Sequence, residues 1–526
     1  MGDACVPSIF LASFFLILDS ISFGQAPDQK STFKVTTRLV QVDVVVHDKN
    51  GKPIEDLAKE DFVLYDEGKV QQISTFSKVT DKPVETDLAP LSPGVFSNRF
   101  TNSKGPEPAR IIARPNVTNV FLIDYMNSEY FEDTHFGHDA VVKFLQQTQP
   151  GDQVAIYVLS NGLHILHDLS SDTASLLAAL NNQERQVSFL GEASLYTDFA
   201  KNSAYFNGLL SNPNFSAHRG AETGMITSIA ILNIANHLSG ISGRKNLIWL
   251  TSHCMADLSI VKGKFSKTLS AVNDAGVAIY PIDNRGLIGQ FRYDPQNTGN
   301  LNLSIWNSHN DMKEVAENTG GQASLNTNDL SGSIRKVLED TRVVYTLGFT
   351  PTNEVWDGKF RKIKIKINRP GAEGRNSRQG YYAVAAPDNT EIDRQKVLGY
   401  TLQSPLLDTG LGILAKISAK PTQERPQTTI SVVLDARELV FNANGRGEPE
   451  ANLDMLAAVF DAQRQSLKQI ERIVSLSNKP MQFTPAMSTG IKLEVDIETP
   501  EKSDHIRLVF RDKASGATGS IDVPIK

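Results

Sequence analysis

The chain is expected to be an α/β protein in which a doubly wound, Rossmann-like parallel sheet is flanked by β-sandwich domains. Three observations predict this. Short, nearly continuous apolar runs alternate with helical segments between residues 116 and 341, as in a parallel sheet buried on both faces. Alternating apolar and polar strand patterns lie on both sides of that block. The 526 residues, 40% hydrophobic and 21% charged, are also enough to build cores for about two to four domains.

At the N-terminus, "SIFLASFFLILDSISFG" is apolar but short for a membrane span, and small and polar residues follow it. Residues 1–26 therefore read as a secretion signal, with an uncleaved anchor as the alternative because no Lys or Arg precedes the apolar run. No later segment has the apolar length of a membrane helix, so the expected location is secreted, periplasmic or outer cell envelope. The two cysteines are Cys5 and Cys254. Removal of the signal leaves Cys254 unpaired, so cores rather than a disulfide must hold the chain together, and Cys254 reads as a small apolar residue at a strand end.

Residues 33–80 carry "LVQVDVVVH", a turn at "DKNGKP", and the pair "FVLYD" and "VQQISTF" joined by "EGK". This module is too small to close a sandwich alone. Residues 343–386, with "VVYTLGFTP", "KFRKIKIKINRP" and "GYYAVAAP", are expected to complete it, which makes the α/β block an insertion. The Pro-, Ser-, Asn- and Gly-rich residues 81–115 read as a linker or long surface loop. In the α/β block, "NVFLID", "QVAIYVLS", "KNLIWLTS" and "GVAIYPID" are the strands, and "GHDAVVKFLQQT", "MITSIAILNIANHL", "FSKTLSAVNDA", "MKEVAENTG" and "LSGSIRKVLEDT" the helices. Residues 393–526 are expected to form a second β-sandwich ending in a hairpin about "KASGAT", although "LDMLAAVFDAQRQSLKQIERI" also fits one amphipathic helix.

A formal charge of −6 with dispersed basic residues gives no footprint for nucleic acid, and "KFRKIKIKI" is more simply a strand with a solvated face. The nucleophile-elbow, zinc-protease, phosphate-loop and dinucleotide motifs are all absent. The polar cluster "TSHCMAD", Thr251 to Asp257, is one contiguous segment, whereas catalytic triads are assembled from separated segments. His164 and His167 lack further ligands at zinc spacing. The sequons at Asn116, Asn214 and Asn302 read as chance composition, and the aperiodic stretch Phe189 to Gly224 as a long loop over the sheet edge.

Four blocks carry a resemblance: "LVQVDVVVHDKNGKPIEDLAKEDFVLYDEGKVQQISTF", "LSGISGRKNLIWLTS", "GVAIYPIDNRGL", and the run from "MKEVAENTGGQASL" to "KIKINRPG". Over residues 33–384 the chain resembles the von Willebrand factor A-related proteins of Acidobacteria and neighbouring phyla. The resemblance implies that residues 116–341 form a von Willebrand factor A domain, and that its activity is binding a protein partner through a metal-ion-dependent adhesion site. That site combines Asp-x-Ser-x-Ser after the first strand, a Thr from a later loop and an Asp after a central strand, an oxygen-rich set suited to Mg²⁺ or Ca²⁺.

Matched to the pattern, Asp124 fits the first aspartate and Ser128 the second serine, while Met126 replaces the first serine and Thr251-Ser252-His253 replaces Thr-Asp-Gly. Asn127, Thr223 and Asp257 are the weaker substitutes, with Thr227 near Thr223. One carboxylate with neutral neighbours implies at most weak Mg²⁺ or Ca²⁺ binding, and an Asp124 that caps its own turn instead. The functional expectation is an exported, non-catalytic protein-binding or adhesion module with a degenerate site, contacting its partner through Asp124, Asn127, Ser128, Ser252 and His253. A structural envelope component with no ligand at the sheet edge is the alternative, and a hydrolase using His253 or Cys254 the third reading.

Overall fold

The computed structural model describes residues 39–80, 91–99, 117–128, 131–147, 153–182, 215–253, 258–287, 298–375, 377–385, 389–422, 426–477 and 490–525. The signal segment, most of the 81–115 stretch, Cys254 and Asp257 lie outside these residues. Among the described residues no helix is long and apolar enough to cross a membrane.

The first strands are β1 (Val40–His47), β2 (Phe62–Asp66), β3 (Lys69–Gln71), β4 (Ile73–Thr80) and β5 (Val95–Ser97). The α/β unit follows as β6 (Val117–Asp124), α1 (Phe131–Leu145), β7 (Gln153–Leu159), β8 (Leu163–Ser170), α2 (Thr173–Asn181), α3 (Phe215–Ser239) and β9 (Arg244–Thr251). It ends with α4 (Leu258–Asp274), β10 (Val277–Asp283), α5 (Thr298–Thr319) and α6 (Leu330–Asp340). Next come β11 (Val343–Phe349), β12 (Phe360–Ile367), β13 (Glu373–Arg375) and β14 (Gly380–Tyr382). The C-terminal unit has α7 (Glu391–Gln403), β15 (Ile413–Ala419), β16 (Gln427–Leu434), β17 (Asn442–Ala443), β18 (Pro449–Phe460), β19 (Ser466–Ser477), β20 (Ile491–Glu498), β21 (His505–Asp512) and β22 (Thr518–Pro524).

In the α/β unit the strand order is β10-β9-β6-β7-β8, parallel except for the antiparallel edge strand β8. Renumbered within the unit this is 3-2-1-4-5, the doubly wound order, with helices covering both faces. One face buries Leu122, Tyr157, Trp249 and Ile279 against α3, α4 and α5, and the other buries Phe121, Ile156, Ile248 and Tyr280 against α1, α2 and α6. Burial on both faces explains why these strands read as continuous apolar runs.

Strands from before and after this unit share two four-stranded sheets, β13-β1-β11-β4 and β14-β12-β2-β3. Their inner faces meet in one core containing Val42, Val44, Tyr345 and Leu347 from the first and Phe62, Leu64, Ile363 and Tyr381 from the second. Glu67 and Gly68 have φ of 49° and 79°, the left-handed pair that a two-residue hairpin turn between β2 and β3 requires. In β12 the lysines face outward, but Arg361 points inward, its guanidinium 5.6 Å from the Trp356 ring centre and 5.9 Å from that of Tyr381.

The C-terminal unit faces the sheet β20-β16-β15-β5 against β17-β18-β21-β22, with β19 paired to β18. Two features depart from expectation. Residues 95–97, expected within a linker, are the edge strand of a C-terminal sheet, because Val95 to Ser97 pair with β15 and Asn98 hydrogen-bonds the Asp408 and Leu411 carbonyls. The run "LDMLAAVFDAQRQSLKQIERI" is a hairpin of β18 and β19 rather than a helix, and the helix of this unit is α7.

Candidate functional site

Asp124 is the last residue of β6 and Thr251 the last of its neighbour β9. The chain leaves β6 toward β7 on one side and returns later to β9 on the other, so this edge is the switch point where open α/β sheets place a crevice. The turn after β6 is fixed by Leu159, whose carbonyl accepts the amides of Tyr125 (2.8 Å) and Met126 (3.2 Å). The Met126 side chain packs against the apolar cluster that includes Leu159 and Ile226 and is no part of the polar site.

Asp124 is fully buried. Its Oδ1 accepts the backbone amide of Asn127 at 2.9 Å, and its Oδ2 accepts Asn127 Nδ2 at 2.7 Å and Trp249 Nε1 at 2.9 Å. The Thr251 hydroxyl lies 3.1 Å from Oδ2 and 2.8 Å from the His253 carbonyl, and its proton serves those two acceptors. Burial pushes the Asp124 carboxyl up to about 6 against these hydrogen bonds, which leaves it mainly ionised at neutral pH.

Asn127 closes the site. Its Nδ2 donates its second proton to Thr227 Oγ1 (3.0 Å) on α3, and Thr227 in turn donates to the Thr223 carbonyl (2.8 Å). The Asn127 carbonyl accepts the His253 amide (3.1 Å), tying the two strand-end loops together. Ser128 donates to the Asp124 carbonyl and accepts from Asn284 Nδ2 (3.2 Å); Asn284 Oδ1 accepts from Ser252 (2.8 Å), whose carbonyl accepts from Ser308 on α5 (3.0 Å). The structure thus brings together Asp124, Asn127, Ser128, Thr227 and Ser252, with Thr223 one helical turn away and contributing only its backbone carbonyl to Thr227.

These residues do not fit a divalent cation. A hard cation needs oxygen lone pairs directed at one point, and charge count sets its affinity. Here the Asn127 amide stands between Asp124 and Thr227, so the oxygens that a metal would join are already joined by N–H donors. The carboxylate closing the next strand, Asp283, is taken by Arg285 (2.9 and 2.8 Å) and His309 (2.8 Å); burial opposes its charge, but these partners hold it below the ordinary carboxylate range. His253 is pushed down to about 4 by burial and by Arg285, so it is neutral at neutral pH. Among the described residues no group of three or more His, Cys, Asp or Glu is placed to hold a metal.

Sequence reasoning missed Trp249, Asn284 and Asp283. Each lies in or just after a parallel strand of a quoted block, and shared position at the carboxyl ends of those strands was the signal that could have found them.

No protein-family model and no curated protein sequence matches the chain. Solved structures give weak likenesses. One is proximal thread matrix protein 1 from the mussel byssus, with 13% identity and a TM-score of 0.26, covering 43% of this chain and 48% of that one. Another is an aerotolerance-related membrane protein from Bacteroides fragilis, with 14% identity and a TM-score of 0.25, covering 43% and 97%. A von Willebrand factor type A protein from Catenulispora acidiphila aligns at 12% identity and a TM-score of 0.27 over 63% and 79%. The chain spans about half of the first of these, and at such scores the strand order, not the neighbours, identifies a doubly wound α/β unit.

Proposed function

We propose that this is an exported, non-catalytic protein-binding module of von Willebrand factor A type, recognising its partner at the carboxyl edge of the α/β sheet without a bridging metal. The observation that carries the reading is the closed network at Asp124 beside exposed apolar side chains. Asp124, Asn127 and Ser252 are buried, so their part is to hold the strand-end loops in one conformation. Contact falls to the rim: Ser128 and His253 are partly exposed, Leu287 is 58% exposed two residues past Arg285, and Trp306 is 63% exposed one helical turn before His309. Large exposed apolar groups on the segments that flank the network suit a protein interface, where Trp is enriched among the residues that dominate affinity.

Calorimetry of the full chain with Mg²⁺, Ca²⁺ and Mn²⁺ is expected to give no saturable heat. Saturable binding that disappears in Asp124→Ala would overturn the metal-independent reading. A random peptide library panned in chelator is expected to yield ligands that bind the native chain and lose at least tenfold in affinity to Trp306→Ala. Ligands indifferent to that change and mapping to the β-sandwiches would favour a structural envelope role.

A further inference from the structure

At the opposite edge of the α/β sheet, where it meets the first sandwich, lies a cavity of about 30 Å³ lined by Gln41, Asp43, Arg244, Asn273, Thr319 and Arg378 among others. Since roughly 10–15 Å³ holds one water, it has room for two waters or one larger ion. Its walls come from two units: Gln41 and Asp43 from β1 and Arg378 from the segment before β14, Arg244 from β9 and Thr319 from α5.

The charges around it do not balance. Arg244 uses four of its five N–H donors, on Asp43 Oδ2 (2.6 Å), Tyr280 (3.0 Å), the Gly320 carbonyl (3.1 Å) and Asn246 (3.2 Å), and the fifth belongs to Nη1. Asp43 is likewise engaged, its Oδ1 accepting from Thr346 at 2.6 Å. Lys245 is buried beside them and donates to the Ala275 carbonyl at 2.7 Å. Arg378 is only 7% exposed, hydrogen-bonds the Gln41 carbonyl, and has a buried Nε without a partner among the described residues. Burial lowers the proton affinity of this guanidinium, with Asp274 and Asp43 opposing from a distance. A buried guanidinium facing a polar cavity with an unused donor is a built half of an ion pair.

We propose that this cavity binds a small monovalent anion of about the size of chloride, held by Arg378 and the Arg244 side of the joint, and that the bound anion links the first sandwich to the α/β unit. The cavity is too small for a phosphate ester or a peptide side chain. Ligation by one residue from each unit makes the anion a ligand of the assembled chain, so its binding is stability.

The test is thermal unfolding of the full chain at constant ionic strength as gluconate is replaced by chloride or bromide. Above saturation the transition is expected to rise by about 1–2 °C per tenfold increase in halide. Arg378→Met is expected to remove the halide dependence, and Arg378→Lys to retain part of it. Bromide in a crystal of the native chain is expected to give anomalous scattering between Arg378 and Arg244. An equal halide effect in Arg378→Met, no halide effect beyond gluconate, or a cavity holding only water alongside bromide would each overturn the proposal. Should Arg378→Met fail to fold, bromide scattering from the native chain decides alone.

Discussion

At the scale of single residues, Asp124 is a carboxylate engaged in holding its own turn to the neighbouring strand. All the groups around it donate, so the ionised form is well served, yet complete burial raises its carboxyl to about 6. The unfolded chain gives up this proton near pH 4, whereas the folded chain keeps it until about pH 6. Its contribution to stability is therefore fully present below pH 4 and is lost as pH rises toward 6, by roughly 3 kcal/mol. Asp124→Asn cannot titrate. The native chain should lose stability relative to that variant between pH 4 and 6.5 in parallel thermal melts, and a difference that stays constant would refute the raised proton affinity. The sequence placed Asp124, Asn127, Ser128 and Ser252 at one edge. It could not show that the Asn127 amide reaches Thr227, because spacing fixes which residues share an edge but not which donor meets which lone pair.

At the scale of elements, legibility followed burial. The four parallel strands of the α/β unit are apolar because both their faces are covered, so they stood out in the sequence. For the same reason β18 was ambiguous: Leu453, Met455 and Ala457 face the sandwich core while Leu456 and Ala458 pack on Leu398 and Leu402 of α7, which erases the alternation that marks a strand. The edge strand β5 was illegible for the opposite reason. Three residues carry no periodicity, and what holds them is the next residue, Asn98, whose Nδ2 donates to the Asp408 and Leu411 carbonyls at 2.8 and 2.7 Å while its Oδ1 accepts the Ile413 amide at 2.9 Å. Asn98→Ala leaves three buried backbone groups without that partner and should cost about 3 kcal/mol in urea unfolding. A loss within about 0.5 kcal/mol, the range of an ordinary surface change, would mean that β5 is the loosely held linker its composition suggests.

At the scale of the whole molecule, the α/β unit is tied to the C-terminal unit through the end of α3. The Thr409 amide donates to the Asn236 carbonyl (3.1 Å), its hydroxyl to the His237 carbonyl (2.6 Å), and His237 Nδ1 lies 2.7 Å from the Leu407 carbonyl. His237 Nε2 faces Asp168 at 3.4 Å, and the buried Asp408 is close behind. Burial opposes a charge on His237, but Asp168 and the Leu407 carbonyl both favour the protonated ring and raise its proton affinity above the ordinary value. Burial likewise opposes the Asp168 charge, and His237 outweighs it, holding that carboxyl down to about 2. The joint therefore gains stability from both groups above about pH 4, keeps it to the ordinary histidine range near pH 6.5, and loses it as pH rises through the higher folded value. Because the Asp168 side chain is 42% exposed, solvent screens the pair and keeps its effect on stability modest. Raising pH from 6.5 to 8.5 should lower the thermal transition of the native chain relative to His237→Gln, which cannot titrate. It should also speed exchange of the Thr409 amide beyond the intrinsic base-catalysed increase. If the two chains respond to pH in parallel and Thr409 exchange follows the intrinsic rate alone, His237 is a neutral ring in a fixed joint, and the attachment of the two units is insensitive to protons.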